Sequence, residues 1–246
     1  MADLIPYSDF FRGVRMYVDT APRPIIEEAL RSTAIEFCDD SDYIRRTLPC
    51  LIRLRTGEAT YNFPDLAEPD ETIAKIVELQ IKPRDSTENT IDLKIRDREY
   101  LDEMRSGWRD SDPSVPEFAI LDKESNTFNI TLSPPPDSTV AGREVTGIIS
   151  VKPTRDSTSV DASLHADYYD CLVSGAAYRL MSMAGKPWSA TDNVRWHLSV
   201  YQDGLREARR RRKHSFSTSQ KRAFIRVHPY QKSSRLSRND ANFDTD

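Results

Sequence analysis

The sequence predicts an α+β protein: a helical bundle formed by N- and C-terminal helices, with a β-rich insertion and an extended C-terminal arm. Three observations carry that expectation. Apolar residues recur at helical spacing near both ends, the middle alternates with a period of two, and the last stretch is basic with few apolar anchors. The expected parts are residues 1–47 for the N-terminal part of the bundle, 48–152 for the β-rich insertion, 153–213 for the C-terminal helix pair and 214–246 for the arm.

The first clear helix is residues 24–37, where Ile26, Ala29, Leu30, Thr33 and Phe37 share a face and Glu27, Glu28, Arg31 and Glu36 turn away. Pro22 and Pro24 suit its start, and Asp39-Asp40-Ser41 its end. A shorter helix is expected over residues 8–17, with Phe10, Phe11 and Val14 inward.

Short strands are expected over residues 48–54, 59–63, 73–81, 91–95, 117–121, 127–132 and 145–151, separated by prolines and by Asp-Ser and Thr-Gly pairs. Residues 73–81 also fit a short helix through Ile73, Ile76, Val77 and Leu79. Residues 98–108 read as a brief helix or loop.

Two helices close the fold. Residues 164–184 carry a stripe of Tyr169, Leu172, Ala176, Leu180 and Met183, stopped by Gly185 and Pro187. The next starts at Ser189 with Asp192 beside its positive end, and Val194, Leu198, Tyr201, Leu205 and Ala208 form its seam.

Composition narrows the function. No apolar stretch is long enough to span a membrane, and the start Met-Ala-Asp-Leu-Ile-Pro lacks the pattern of a signal peptide. Cys38, Cys50 and Cys171 are odd in number and scattered, which suits reduced thiols in a cytoplasm. Residues 204–238 hold twelve Lys or Arg against one acid, so within a total of −4 the remainder carries −15. An acidic body with a basic arm suggests docking on an acidic surface or on nucleic acid.

Catalytic patterns are thin. His165, His197, His214 and His228 form no HxH or HExxH group, and there is no CxxC, so no metal site is expected. The spacing from Gly142 to Gly147 lacks the Lys-Ser/Thr of a phosphate loop and reads as a hairpin turn, so no cofactor is expected. Asp70, Asp92 and Lys94 imitate the carboxylates and lysine of a Mg²⁺-dependent nuclease, but Asp92 and Lys94 alternate with Ile91, Leu93 and Ile95 as any half-exposed strand would. No catalytic residue is assigned.

The strongest local signal is the run Arg209-Arg210-Arg211-Arg212-Lys213, continued by Lys221, Arg222, Arg226, Lys232, Arg235 and Arg238 and interleaved with Phe216, Phe224, Ile225, Val227 and Tyr230. Cations at a helix end complement its dipole, which explains two or three of them but not all. Such an arm can bind nucleic acid or protein.

Several blocks resemble the head-to-tail adaptor (connector) proteins of tailed bacteriophages. They are residues 5–12 (IPYSDFFR), 21–38 (APRPIIEEALRSTAIEFC), 128–136 (FNITLSPPP), 149–156 (ISVKPTRD), 167–189 (DYYDCLVSGAAYRLMSMAGKPWS) and 195–204 (RWHLSVYQDG). After Cys38 the family often has a Thr and a Trp, where this chain has Asp39-Asp40-Ser41-Asp42-Tyr43.

The resemblance implies a structural ring, usually of twelve subunits, beneath the portal in the virion neck. Such a ring joins head to tail and continues the channel through which DNA passes without specific binding. Its implied partners are the portal protein, a downstream nozzle or tail-tube protein and further copies of itself, assembled in the host cytoplasm. Under that reading Arg210, Arg211, Arg212, Lys213, Lys221, Arg222, Phe224, Arg226 and Tyr230 are expected to bind the portal, and Asp39, Asp40 and Asp42 to line the channel. The alternative is a nucleic-acid-binding protein acting through the arm, with the Mg²⁺-dependent nuclease third.

Overall fold

The computed structural model describes residues 3–64, 70–85, 88–105, 107–124, 127–190 and 192–213. The chain opens with β1 (Leu4–Pro6), a single 3-10 turn and α1 (Phe11–Arg15), followed by α2 (Arg23–Ser41). Next come β2 (Arg45–Arg53), β3 (Thr60–Pro64), β4 (Glu71–Ile81), β5 (Ile91–Ile95), α3 (Arg98–Met104), β6 (Phe118–Glu124), β7 (Thr127–Ser133) and β8 (Glu144–Pro153). The last elements are β9 (Ser159–Asp161), α4 (Ala162–Met181) and α5 (Val194–Lys213).

Among the described residues seven strands form one sheet in the order β2-β8-β4-β5-β6-β7-β3. All neighbours are antiparallel except β5 and β6. The sheet curls, so that β2 and β3 from opposite ends of this order approach each other. β2 at one edge carries exposed Arg45 and Arg53, and its pairing with β8 is interrupted around Pro49. β1 and β9 pair separately.

This overturns the expected helical bundle with a β insertion. Strands and helices share one continuous core, in which Ile73, Leu79, Ile149 and Val151 lie with Phe10, Ile26, Phe37, Leu164, Ala176 and Tyr201. The physical reason lies in α2, whose buried residues run from Ile26 to Ser41 and include Ala34 and Cys38 as well as the expected face. At about 100° per residue they cover roughly half the circumference. A helix with so broad a buried face needs two layers against it: α4 and α5 cover part of it, and β8 covers the rest.

Residues 73–81 form a strand, as expected, and not the short helix that they also fit. β4 is a strand with register shifts between Ile73 and Lys75 and between Ile76 and Glu78. Each shift inserts an extra residue, so Ile73, Ile76 and Leu79 all turn to the buried face at a spacing that imitates a helix.

Two closing helices form, but α5 starts at Val194 and not at Ser189, whose Oγ donates to the Met181 carbonyl at 3.4 Å, and Met183 of the expected α4 stripe lies exposed beyond the helix end. His197, Tyr201, Leu205 and Ala208 are the buried residues of α5, while Val194 and Leu198 are half-buried. Two glycines let α5 approach closely. A Cβ at Gly175 would meet Tyr201 Cδ2 at 2.7 Å, and one at Gly204 would meet Cys171 Sγ at 2.5 Å. Asp161 caps α4, accepting from Ser163 N–H at 2.8 Å. α3 packs elsewhere, placing Leu101 with Trp108 and Ile120 in a small second cluster.

Candidate functional site

The two charged clusters singled out in the sequence meet at the C-terminal ends of α2 and α5. α2 stops at Asp42, whose backbone is left-handed (φ 49°, ψ 36°) and whose N–H donates to the Cys38 carbonyl at 3.0 Å. Asp tolerates that conformation better than most residues because its short polar side chain can bond locally. The Asp42 side chain has no exposed surface, and it is ion-paired with Arg212 of α5 and Lys75 of β4. Its Oδ1 lacks a hydrogen-bond partner among the described residues.

Arg209 makes the second joint. Its Nε donates to the Asp40 carbonyl at 3.0 Å, and its Nη2 lies 3.5 Å from Asp40 Oδ1. The first contact satisfies one of the backbone carbonyls that a helix leaves unpaired at its end. Asp39, exposed on the same turn, pairs with Lys152 of β8 at 2.9 Å.

The rest of the basic run is held within α5. Arg210 and Arg211 bind Glu207 at 2.7 and 3.0 Å. Those contacts, the Arg211 hydrogen bond first, hold the Glu207 carboxyl below its usual range. Arg211 also lies 5.7 Å from the centre of the Tyr168 ring. Lys213 is exposed at the helix end. Lys221, Arg222, Phe224, Arg226 and Tyr230 lie outside the described residues.

A further charged bridge ties strands to helix. Arg46 of β2 reaches Glu71 at 2.9 Å and Asp161 at 2.7 Å. Burial alone would raise the Asp161 carboxyl, but hydrogen bonds from Ser163 and Arg46 outweigh it and hold it below the usual carboxylate range.

A different surface escaped the sequence reading. Around α1, Met16 is 77% exposed, Tyr17 45% and Trp196 53%, and these three line or border a cleft of about 670 Å³ with Arg12, Tyr169 and Asp170. Arg12, Arg15 and Arg23 gather beside Met16. None of the three makes an ion pair among the described residues. A signal existed, since Trp196 falls out of phase with the α5 seam. A large apolar residue on the wrong face of an amphipathic helix points to a contact.

The nuclease pattern does not assemble, and the two described histidines each pack against aromatic rings. His197 is 1% exposed, packed edge-on against Tyr17 at 4.5 Å, with its Nδ1 unpartnered among the described residues, and burial lowers its pKa. His165 sits between Phe10 at 5.0 Å and Tyr169 at 5.2 Å. Asp70 precedes β4 and accepts from Ser159, whereas Asp92 lies opposite Gln80 near the far end of the same strand. At ~3.3 Å per residue the two carboxylates are separated by roughly 30 Å, too far to share an ion. Lys94 is bound to Glu117 at 2.8 Å. Among the described residues no three His, Cys, Asp or Glu side chains converge as metal ligands.

The described residues thus offer paired charges that join elements and, around α1, an apolar and basic patch left open. The chain belongs to the SU10 adaptor protein family, a family of phage head-to-tail adaptors, which it matches over residues 5–223. Its role is that of a structural phage adaptor. No curated protein matches the chain significantly. No helix among the described residues is long and apolar enough to cross a membrane.

Proposed function

We propose that the chain is one of twelve subunits of a ring beneath the portal, which joins head to tail and continues the DNA exit channel. Membership of the adaptor family over residues 5–223 is the observation that carries this reading. Its contacts are then the portal protein above, a nozzle or tail-tube protein below and neighbouring copies at each side. It is assembled in the host cytoplasm and retained in the virion neck.

The basic arm is the portal-binding element in this reading. Charge at Lys221, Arg222 and Arg226 steers it towards an acidic groove, and Phe224 and Tyr230 anchor it there. Arg210, Arg211, Arg212 and Lys213 form its root. The contact of Arg212 with Asp42 fastens the end of α5, the last described element before the arm in sequence. Asp39 and Asp40, exposed at the end of α2, stand on the channel wall in this reading, with their charge partly met by Lys152 and Arg209. Asp42 is not carried into that role, because it has no exposed surface.

Electron microscopy of the full chain mixed with its portal tests the proposal. A closed twelve-fold ring on the portal is expected, and loss of that ring when residues 214–246 are removed. Neutralising Lys221, Arg222 and Arg226 should weaken docking and flatten its salt dependence, because exposed charges are screened. Scattered single copies on the portal, or a ring unaffected by the truncation, would overturn the assignment of the arm. Tight duplex binding at about 0.15 M salt, falling steeply as salt rises, would favour the nucleic-acid reading instead.

A further inference from the structure

We infer that α3 of one copy docks on the α1 patch of the next copy, so that two different surfaces of the same chain meet at each joint. The inference rests on the ring reading above and names the faces that build it.

The first surface is the one around α1. It offers exposed Met16, Tyr17 and Trp196, with Arg12, Arg15 and Arg23 unmatched among the described residues. Trp, Tyr, Met and Arg are the residue types that concentrate at protein contacts, because they bring large contact area, an adaptable thioether or planar charge.

The second surface is the outer side of α3. Tyr100 is 40% exposed and Met104 69%, four residues apart and therefore one above the other on the helix. Glu99 and Glu103 form the adjacent stripe at the same spacing, and neither pairs with a cation among the described residues. The neighbouring Asp102 is already occupied by Arg109 and by the Trp108 indole N–H at 2.7 Å. That bond, with Leu101 buried beneath, fixes which side of α3 faces outward.

The two faces complement each other in both respects. One offers unmatched arginines around apolar side chains, and the other offers unmatched Glu99 and Glu103 beside Met104 and Tyr100, with Arg96 5.3 Å from the centre of the Tyr100 ring. Like faces would instead repel, arginine against arginine or glutamate against glutamate, which disfavours a two-fold dimer through either patch. α1 enters the main core and α3 the small cluster, so they are distinct surfaces of the body. Joining distinct surfaces head to tail generates a ring where the rotation closes. A seven-residue α3 is only about 10 Å long, so the contact is small. Such a contact falls below the area of a stable interface, and free copies associate weakly until a template holds them.

Site-specific cross-linking tests this. Two full-length variants are made in a Cys50→Ser background, one with Met16→Cys and the other with Met104→Cys; Cys38 and Cys171 are buried. The mixture, oxidised at high concentration, should give a disulfide-linked dimer that neither variant gives alone. Adding Arg12→Glu and Arg15→Glu to the first variant should slow cross-linking about tenfold or more, and Glu99→Arg with Glu103→Arg in the second should restore it. Equal self-linking of the Met16→Cys variant would overturn the inference in favour of a symmetric contact. Rings visible on the portal without the mixed cross-link would overturn it while leaving the ring reading standing. Absence of any ring on the portal would remove the ring reading and this inference with it.

Discussion

The arginines at the end of α5 and those around α1 are the same side chain in opposite circumstances. Arg209 and Arg212 reach across to Asp40 and Asp42, and Arg210 and Arg211 turn back to Glu207. Arg12, Arg15 and Arg23 meet no acid among the described residues. The dense run stands out in the sequence, yet much of its charge is spent inside the body. The scattered trio does not stand out, and its charge is open. Charge density along a chain therefore measures how many cations are present, and the fold decides how many are available.

The sharpest way to break this contrast is Asp42→Ala. It strands Arg212 and Lys75 and places an alanine in left-handed backbone, so a loss of about 3 kcal/mol is expected in urea unfolding. A loss under ~1 kcal/mol would show that the α2–α5 joint is no more than a surface contact. Arg212→Ala comes next, at about 2 kcal/mol, because Lys75 still partly compensates the buried carboxylate.

Acid should weaken the fold through Asp161. Its carboxyl is held below the usual range, so its contribution is complete above the unfolded carboxylate pKa and is lost as pH falls through the lower folded value. Asp161→Asn should cost roughly 1–2 kcal/mol at pH 7 and flatten the decline of the unfolding midpoint in acid. An unchanged acid decline would place the sensitive group elsewhere. Smallest of all, Arg12→Ala with Arg15→Ala should alter stability by no more than about 0.5 kcal/mol, as befits charges that hold nothing inside the chain. A melting temperature several degrees lower would mean that these arginines do have an internal partner.

How much of this the sequence disclosed depends on whether a pattern is local. Spacing alone finds one buried side of α2 and part of that of α4, where Leu172, Ala176 and Leu180 are buried while Tyr169 is half-buried and Met183 exposed. Tyr201, Leu205 and Ala208 of the expected α5 seam are buried, and only its first turns differ, where His197 is buried and Val194 and Leu198 are half-buried. In the fold an aromatic pocket accepts the imidazole, and Leu198 falls to the rim. β4 was ambiguous because its bulges depend on pairing with β8, which no local window contains. The fold class failed for a similar reason: the strands look like an insertion along the chain, and only the breadth of the α2 face signals that they share its core. The meeting of Asp40 and Asp42 with Arg209 and Arg212 joins positions some 170 residues apart, far outside any motif.

The irregular edge of the sheet has its own consequence. An outer strand with a clean ladder of free amides is a template on which another chain can add itself, and the ring proposed above, with copies side by side, would raise that hazard sharply. β2 is poorly suited to such growth. Pro49 lacks the amide proton, the register breaks beside it, and Arg45 and Arg53 put charge where an incoming strand would lie. Crowding should therefore drive these subunits together through side chains, whose fit can be specific, and not through backbone polymerisation, which would have no natural end.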